Sequence, residues 1–314
     1  QVELQHCSEA LLMLQLGAHP NIVALHYCVV SDGDEFLMFT TFVDGAMPLA
    51  DAVASKALQS GAIGAARRRV AGVLVDVAVA LEFCHAQGVL HQDVKQDNVL
   101  LGADGSAKLM DFGLASKGEG VDGALRAEYK GCTPTYDSPE VLALRADLLA
   151  TKLDNEAYKA MKAERRLSPA THDVFAFGAM AAALYTAPVM AHGGNAQLAS
   201  VRSTEFPPAD ASLDDVRAWA ATLHEDSSKI VAALDGIDGA ALHSMTSEDI
   251  FKPPRPKLTH GKKAVLRIAF AAPTPALRAV IARCVASDPA ERFDCGASLL
   301  VALRECVDRG AGGA

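Results

Sequence analysis

Residues 89–101 read VLHQDVKQDNVLL, an apolar pair and an apolar triplet that enclose His91, Asp93, Lys95, Asp97 and Asn98. The spacing H-x-D-x-K-x-x-N gathers carboxylate, ammonium and amide groups in one short loop. About a dozen residues later, KLMDFGLAS brings Asp111 ahead of Phe112 and Gly113. Three chemistries use such residues. Asp and Asn close Asx-turns and cap helices, which would make the loop a solvated turn. Carboxylates also hold structural cations, but these lack the regular alternation and the Gly of a calcium loop. Phosphoryl transfer gives every residue a role, in which Asp93 accepts or orients the proton of an attacking hydroxyl, Lys95 steadies phosphate charge, and Asn98 with Asp111 holds magnesium. Four specified residues at fixed spacing arise by chance in a chain this long only about once in five hundred, on equal residue frequencies. The pattern therefore favours phosphoryl transfer.

Such a loop needs rigid flanks, and the sequence supplies them. Upstream, the Ala-rich stretch 66–87 predicts a helix; downstream, Val99–Leu101 and residues 107–110 predict a strand pair joined by the turn GADGS. Near the start, Leu4, Leu11, Leu12, Met13 and Leu14 keep a helical rhythm over residues 2–16, which Gly17 and Pro20 stop. IVALHYCVV and EFLMFTTFV are rich in β-branched and aromatic residues and predict two strands around the turn SDGD. Further helices are expected over residues 173–185 and 274–286. A small helix-plus-hairpin part thus precedes a larger, mostly helical part, and RGAGGA ends the chain as a flexible tail.

Composition narrows the function classes. Of 314 residues half are hydrophobic, enough for a sizeable core. The formal charge of -9 argues against nucleic acid or an anionic membrane surface as the main partner. The one tight basic cluster, ARRR at 66–69, reads as a solvated face at a helix start. Seven scattered cysteines without a C-x-x-C pair suggest neither a disulfide framework nor a zinc site, and a reducing, cytoplasmic or otherwise intracellular compartment is expected. Residues 174–191 carry no charge over the length of a membrane span, but Pro188 interrupts the run and Asp173 abuts it, so a buried core helix is expected. The acidic, polar stretch 192–262 reads as a surface insertion.

The segments around Asp93 and Asp111 resemble the catalytic loop and the metal-binding DFG of the eukaryotic protein kinase family. The resemblance covers nearly the whole chain. GCTPTYDSPE looks like the end of an activation segment, with Thr133 in the loop that receives the substrate residue and Ser138-Pro139-Glu140 standing where the family has Ala-Pro-Glu. HDVFAFG is similar to the start of the buried central helix, from which the Asp, here Asp173, reaches back to the catalytic-loop backbone. DPAERF resembles the late motif whose Arg, here Arg292, pairs with the Glu at position 140. SEALLMLQLGAHPNIVAL looks like the αC helix and the strand after it, which makes Glu9 the acid for the ATP-binding lysine. By the same resemblance Thr40 is the gatekeeper, Thr41 to Val43 form the hinge whose backbone meets adenine, and Met13, Leu25, His91 and Phe112 stack as an apolar spine.

What the resemblance implies is an α+β, protein-kinase-like bilobal fold. Its N-lobe is truncated to the αC helix and two strands in residues 1–43, followed by a mostly α-helical C-lobe in 44–308 and a Gly-rich tail at 309–314. ATP and Mg2+ are the implied cofactors, and Ser or Thr of protein substrates the implied acceptor; no nucleic-acid partner and no membrane span in this segment are expected. Three departures stand out. The family's Gly-rich loop and strand lysine have no counterpart in these residues, so the segment by itself is expected to be weakly active or inactive. Gln92 stands where most kinases have Arg, and about twenty extra residues, ADLLATKLDNEAYKAMKAERRL, lie between Glu140 and Asp173. Two rivals remain: a pseudokinase-type scaffold without transfer, and a small-molecule phosphotransferase. Intact Asp93, Asn98 and Asp111 speak against the first; Lys95, the Pro-Glu motif and Thr133 speak against the second.

Overall fold

The computed structural model describes residues 4–30, 36–121, 124–131, 133–150, 168–190, 206–224, 226–246 and 248–311. Long helices and short antiparallel ladders make up the fold, in keeping with the α+β expectation. Two compact units divide the chain: Gln1–Ala50 with Val73–Met180 and Ile281–Ala302, and Asp51–Gly72 with Ala181–Val280 and Leu303–Ala314.

The first unit opens with α1, Leu4–Leu16. Gly17 ends it at φ 68°, its amide donating to the Met13 carbonyl at 3.0 Å. A left-handed residue after the last turn is free of steric cost only for glycine, so the stop lies in the residue type. The strands β1 (Leu25–Val30) and β2 (Phe36–Thr40) pair antiparallel, with Tyr27 opposite Phe39 and their rings stacked at 4.5 Å. The turn SDGD expected between them lies outside the described residues.

Next come β3 (Met47–Pro48), α2 (Leu49–Ala54) and the 24-residue α3 (Ile63–Ala86). Val73, Leu74, Val77, Ala78, Leu81 and Cys84 of α3 are buried at helical spacing, which is the apolar stripe that fixes this helix in the core. Around it lie β4 (Val89–Leu90), β5 (Val99–Leu101) and β6 (Ala107–Leu109), then β7 (Ser116–Lys117), β8 (Glu119–Val121) and β9 (Ala124–Ala127). β3–β5–β6 form one sheet, β4–β7 a second, and β8–β9 a third, joined by β10 (Ser168–Pro169). Asp76 of α3 accepts from the Ala107 amide at 2.8 Å, tying the β5–β6 pair to the helix. The helix α4 covers Pro139–Ala150, and α5 covers Ala170–Met190. In α5, Val174, Phe177 and Met180 are buried, as the core-helix reading required. A Cβ on Gly178 would overlap that of Cys284 and come within 2.9 Å of Val285, so only glycine permits this packing. Among the described residues no single helix is long and apolar enough to cross a membrane.

The second unit corrects three expectations. Residues 206–271 are no surface insertion: Phe206, Val216, Trp219, Ile230, Leu242 and Phe270 belong to one buried cluster. It is built on α6 (Leu213–Thr222), α7 (Ser228–Ala233), α8 (Gly239–Ser244) and α9 (His260–Ala271). The acidic residues that made the stretch look solvated sit partly at helix starts: Asp215 completes a capping box with Ser212, and Asp238 caps α8. The remaining 192–205, like most of the extra residues 146–167, lies outside the described residues. The ARRR cluster is only partly solvated. Arg68 is exposed, but Arg67 donates to the carbonyls of Phe270 and Ala272, and Arg69 to those of Leu58 and Ser60. The last helices are α10 (Pro275–Cys284) and α11 (Gly296–Ala311), so residues 309–311 of the expected tail continue a helix.

Candidate active site

The loop after β4 is built around one carboxylate. Asp93 Oδ2 accepts from Lys95 Nζ at 2.6 Å and from Asn98 Nδ2 at 2.9 Å. Its Oδ1 accepts from the Thr133 hydroxyl at 2.8 Å and the Thr133 amide at 3.2 Å. Lys95 Nζ also reaches the Thr133 hydroxyl, at 2.8 Å. Burial alone would raise the Asp93 pKa, but the bonds from Lys95 and Thr133 outweigh it and hold the group below the ordinary carboxylate value. Asp93 is therefore ionised at neutral pH. Asn98 Nδ2 also donates to the Asp93 carbonyl at 2.9 Å; with two acceptors facing it, the amide nitrogen must point to Asp93, which turns Oδ1 away from that carboxylate.

Behind the loop stands Asp173, buried in the first turn of α5. It accepts from the amides of His91 at 2.9 Å and Gln92 at 2.7 Å, and from His85 Nε2 at 2.9 Å. His85 Nδ1 accepts from the Gly296 amide at 2.9 Å, so its proton is on Nε2 and the bond to Asp173 is a donated one. Desolvation raises the Asp173 pKa, and the bond from His85 with the nearby imidazoles more than reverses it. His91 is fully buried and lies edge-on to Phe112 at 4.8 Å. It accepts from the Asp93 amide through Nδ1 at 3.3 Å and meets the Met110 carbonyl through Nε2 at 3.1 Å, the pattern of a neutral ring. Burial lowers its pKa accordingly.

Two residues here take the left-handed region without being glycine: Gln92 at φ 64° and Asp111 at φ 63°. Side chains avoid that region, and its occurrence at both ends of one site shows a loop over-determined by its surroundings. Asp111 Oδ1 accepts from the Gly113 amide at 3.2 Å. A Cβ on Gly113 would sit 3.1 Å from Asp111 Oδ1 and 3.7 Å from Glu9 Oε2, so α1 brings Glu9 to the same spot. Thr41 donates its amide to the Ala24 carbonyl at 2.8 Å, and the Val43 carbonyl accepts from Ala46 at 3.2 Å. Met13 and Leu25 are buried, though only the His91–Phe112 part of the expected spine is a ring contact.

Away from the loop, Arg292 grips Glu140 in a two-pronged pair, Nη1 to Oε1 at 2.6 Å and Nη2 to Oε2 at 2.9 Å. Burial raises the Glu140 pKa, but the Arg292 bonds hold it below its ordinary value. The site also uses side chains in ways that no sequence pattern marks. Gln92 donates to the Glu128 carbonyl at 2.9 Å and accepts from the Lys130 amide at 3.3 Å, a neutral clamp on the segment before Thr133. His85 precedes its partner by 88 positions, and no local spacing signals such a pair.

A family described as "Protein kinase domain" matches residues 2–300. This chain belongs to the protein kinase domain family. CBL-interacting protein kinase 4 of Oryza sativa subsp. japonica is 38% identical to it over 131 residues, which is 41% of this chain and 27% of that protein. Serine/threonine-protein kinase PEPKR2 of Arabidopsis thaliana is 33% identical over 138 residues, 43% of this chain and 26% of that protein. Serine/threonine-protein kinase STE20 of Saccharomyces cerevisiae is 34% identical over 133 residues, 42% of this chain and 13% of that protein. The match spans about a quarter or less of the length of these relatives. Within the kinase domain, the Asp93 loop, Asp111, Asp173 and the Glu140–Arg292 pair all fall in the first compact unit.

Proposed function

We propose that this kinase domain transfers the γ-phosphoryl group of ATP to Ser or Thr of protein substrates. The Asp93 carboxylate carries the reading: it is ionised, held on both oxygens, and fixed through a loop that Asp173 anchors from behind. Phosphoryl transfer asks little covalent chemistry of a protein; it asks for position and charge. Asp93 would orient the acceptor hydroxyl and take its proton. Lys95, bridging Asp93 and Thr133, is the cation beside the acceptor.

The donor set also fits magnesium. Mg2+ prefers hard oxygen ligands and is held by one or two protein groups together with phosphates, with no all-protein cage. Asn98 Oδ1 and the Asp111 carboxylate are such oxygens, and among the described residues no cluster of three or more His, Cys, Asp or Glu is gathered. When bound, Mg2+–ATP supplies the phosphoryl group and neutralises its charge. The Thr41 amide is engaged with Ala24, and among the described residues the Thr41 carbonyl and the Val43 amide are the acceptor and donor we assign to adenine. Glu9 is the acid that would orient a lysine against the phosphates. We read residues 1–43 as the small-lobe part and 44–308 as the large lobe. The acceptor class is supported by the relatives, two of which are named serine/threonine-protein kinases.

The test is a peptide array of Ser, Thr and Tyr acceptors incubated with the full-length protein and magnesium-ATP. Label on Ser and Thr peptides is expected. Products dominated by Tyr would overturn the acceptor class, and the absence of label on any acceptor would overturn transfer itself.

A further inference from the structure

The second unit holds a cavity of about 690 Å³, within the range of roughly 300–1,000 Å³ typical of small-molecule sites. Val53, Ile63, Val70, Leu184 and Phe270 give its lining an apolar part. The lining also includes Lys56, Arg67 and Arg267 with a single acid, Glu248. Arg267 is bonded to that acid at 2.6 Å, so its charge is already met. Arg67 is different.

The Arg67 guanidinium stacks on the Phe206 ring at 4.3 Å, and its Nη1 donates to the carbonyls of Phe270 at 3.1 Å and Ala272 at 2.7 Å. Carbonyls and a ring face satisfy donors without neutralising the cation, and among the described residues no carboxylate is paired with it. A guanidinium has five N–H donors, and among the described residues the carbonyl bonds of Arg67 run from Nη1 alone. Burial lowers the Arg67 pKa to about 10, which leaves it charged at neutral pH and in want of an anion. Tyr185, also lining the cavity, is pushed up to about 12 by burial and stays protonated as a second donor. Lys56 stands exposed at the rim in the left-handed region, φ 60°, where glycine would fit at no steric cost.

We infer that this cavity binds an amphipathic carboxylate, its anion on Arg67 and its hydrocarbon body against the apolar part of the lining. A free phosphate would leave that part uncovered, and an organic cation would meet the wrong charge. The inference does not depend on the phosphoryl-transfer reading.

The test is calorimetric titration of the full-length protein with dodecanoate below its micelle concentration, beside dodecanol and dodecyltrimethylammonium. Saturable binding of dodecanoate is expected, with dodecanol weaker by about tenfold for want of the charged bond. Octanoate and decanoate should bind progressively more weakly, by about fourfold per methylene lost. Arg67→Met should bring dodecanoate down to the level of dodecanol. Ala66→Trp, which keeps Arg67 and fills the cavity, should abolish binding in a chain whose circular dichroism matches the wild type. Should Arg67→Met fail to fold, the carboxylate–alcohol comparison on the wild type decides the role of charge. No saturable dodecanoate binding, equal affinity for dodecanol, or unchanged binding in Ala66→Trp would each overturn the inference.

Discussion

Replacing Glu140 by Ala leaves a buried guanidinium without its carboxylate, and the structure sets the cost. The Arg292 side chain is fully buried, and Glu140 provides both prongs of the pair. Breaking such a pair costs about 3–5 kcal/mol, because a lone charge stays behind. The lower end applies here. Arg292 keeps the carbonyls of Ala286 at 2.8 Å, Ser287 at 3.2 Å and Thr171 at 3.4 Å, and the Phe175 ring at 4.9 Å. At about 2–4 °C per kcal/mol for domains of 150–250 residues, Glu140→Ala should melt roughly 6–12 °C below the wild type. Glu140→Leu with Arg292→Met removes the stranded charge and should recover more than half of that loss. The pH dependence has a definite sign. The folded Glu140 pKa lies below the unfolded value of 4.5, so its contribution is complete above pH 4.5 and is lost as pH falls through the folded value. Glu140→Ala should therefore be destabilised at pH 7 and converge on the wild type in acid. A melting difference under about 2 °C at pH 7, or a double variant no better than the worse single one, would refute the argument.

The neutral Gln92 clamp offers no charge to a phosphate, so phosphatase treatment of the full-length protein should change turnover less than about threefold; a hundredfold loss would show another cation at work. Gln92→Ala should speed amide exchange at Lys130, whose amide the clamp binds, while leaving α3 protected. His91 and His172 are both pushed below 6.5 by burial, so the unfolded chain takes up their protons first; stability should be full above pH 6.5 and decline below it, and His172→Gln should flatten that slope. Gly178→Ala forces a Cβ onto Cys284 and should cost about 1–3 kcal/mol by thermal melting; an unchanged melting temperature would mean that α5 can shift.

The sequence was most legible where chemistry and local pattern coincide. His91, Asp93, Lys95 and Asn98 announce themselves by spacing, and the strands on either side of GADGS lie where the turn residues put them. The long helices were also visible, since α3 and α5 are apolar runs whose ends differ from the expectation by a few residues. Two-residue strands such as β3, β4 and β7 carry no periodicity, and only tertiary pairing creates them. The core of residues 206–271 was missed because its acidic caps dominate the composition while its apolar residues are shared among several short helices. Arg67 was misread for a related reason: a basic cluster looks solvated, yet one turn of helix directs its members to different faces. The Asp173–His85 bond depends on the meeting of two helices and has no local signature.

The central claim rests on Asp93, and the most direct measurement is the turnover of full-length Asp93→Asn with magnesium-ATP and a Ser or Thr peptide. Asn is isosteric, so the melting temperature should stay within a few degrees of the wild type. Turnover should fall by about 10²–10⁴-fold, the usual contribution of a positioned proton acceptor. A folded Asp93→Asn protein that keeps more than about a tenth of its turnover would contradict the assignment of this loop.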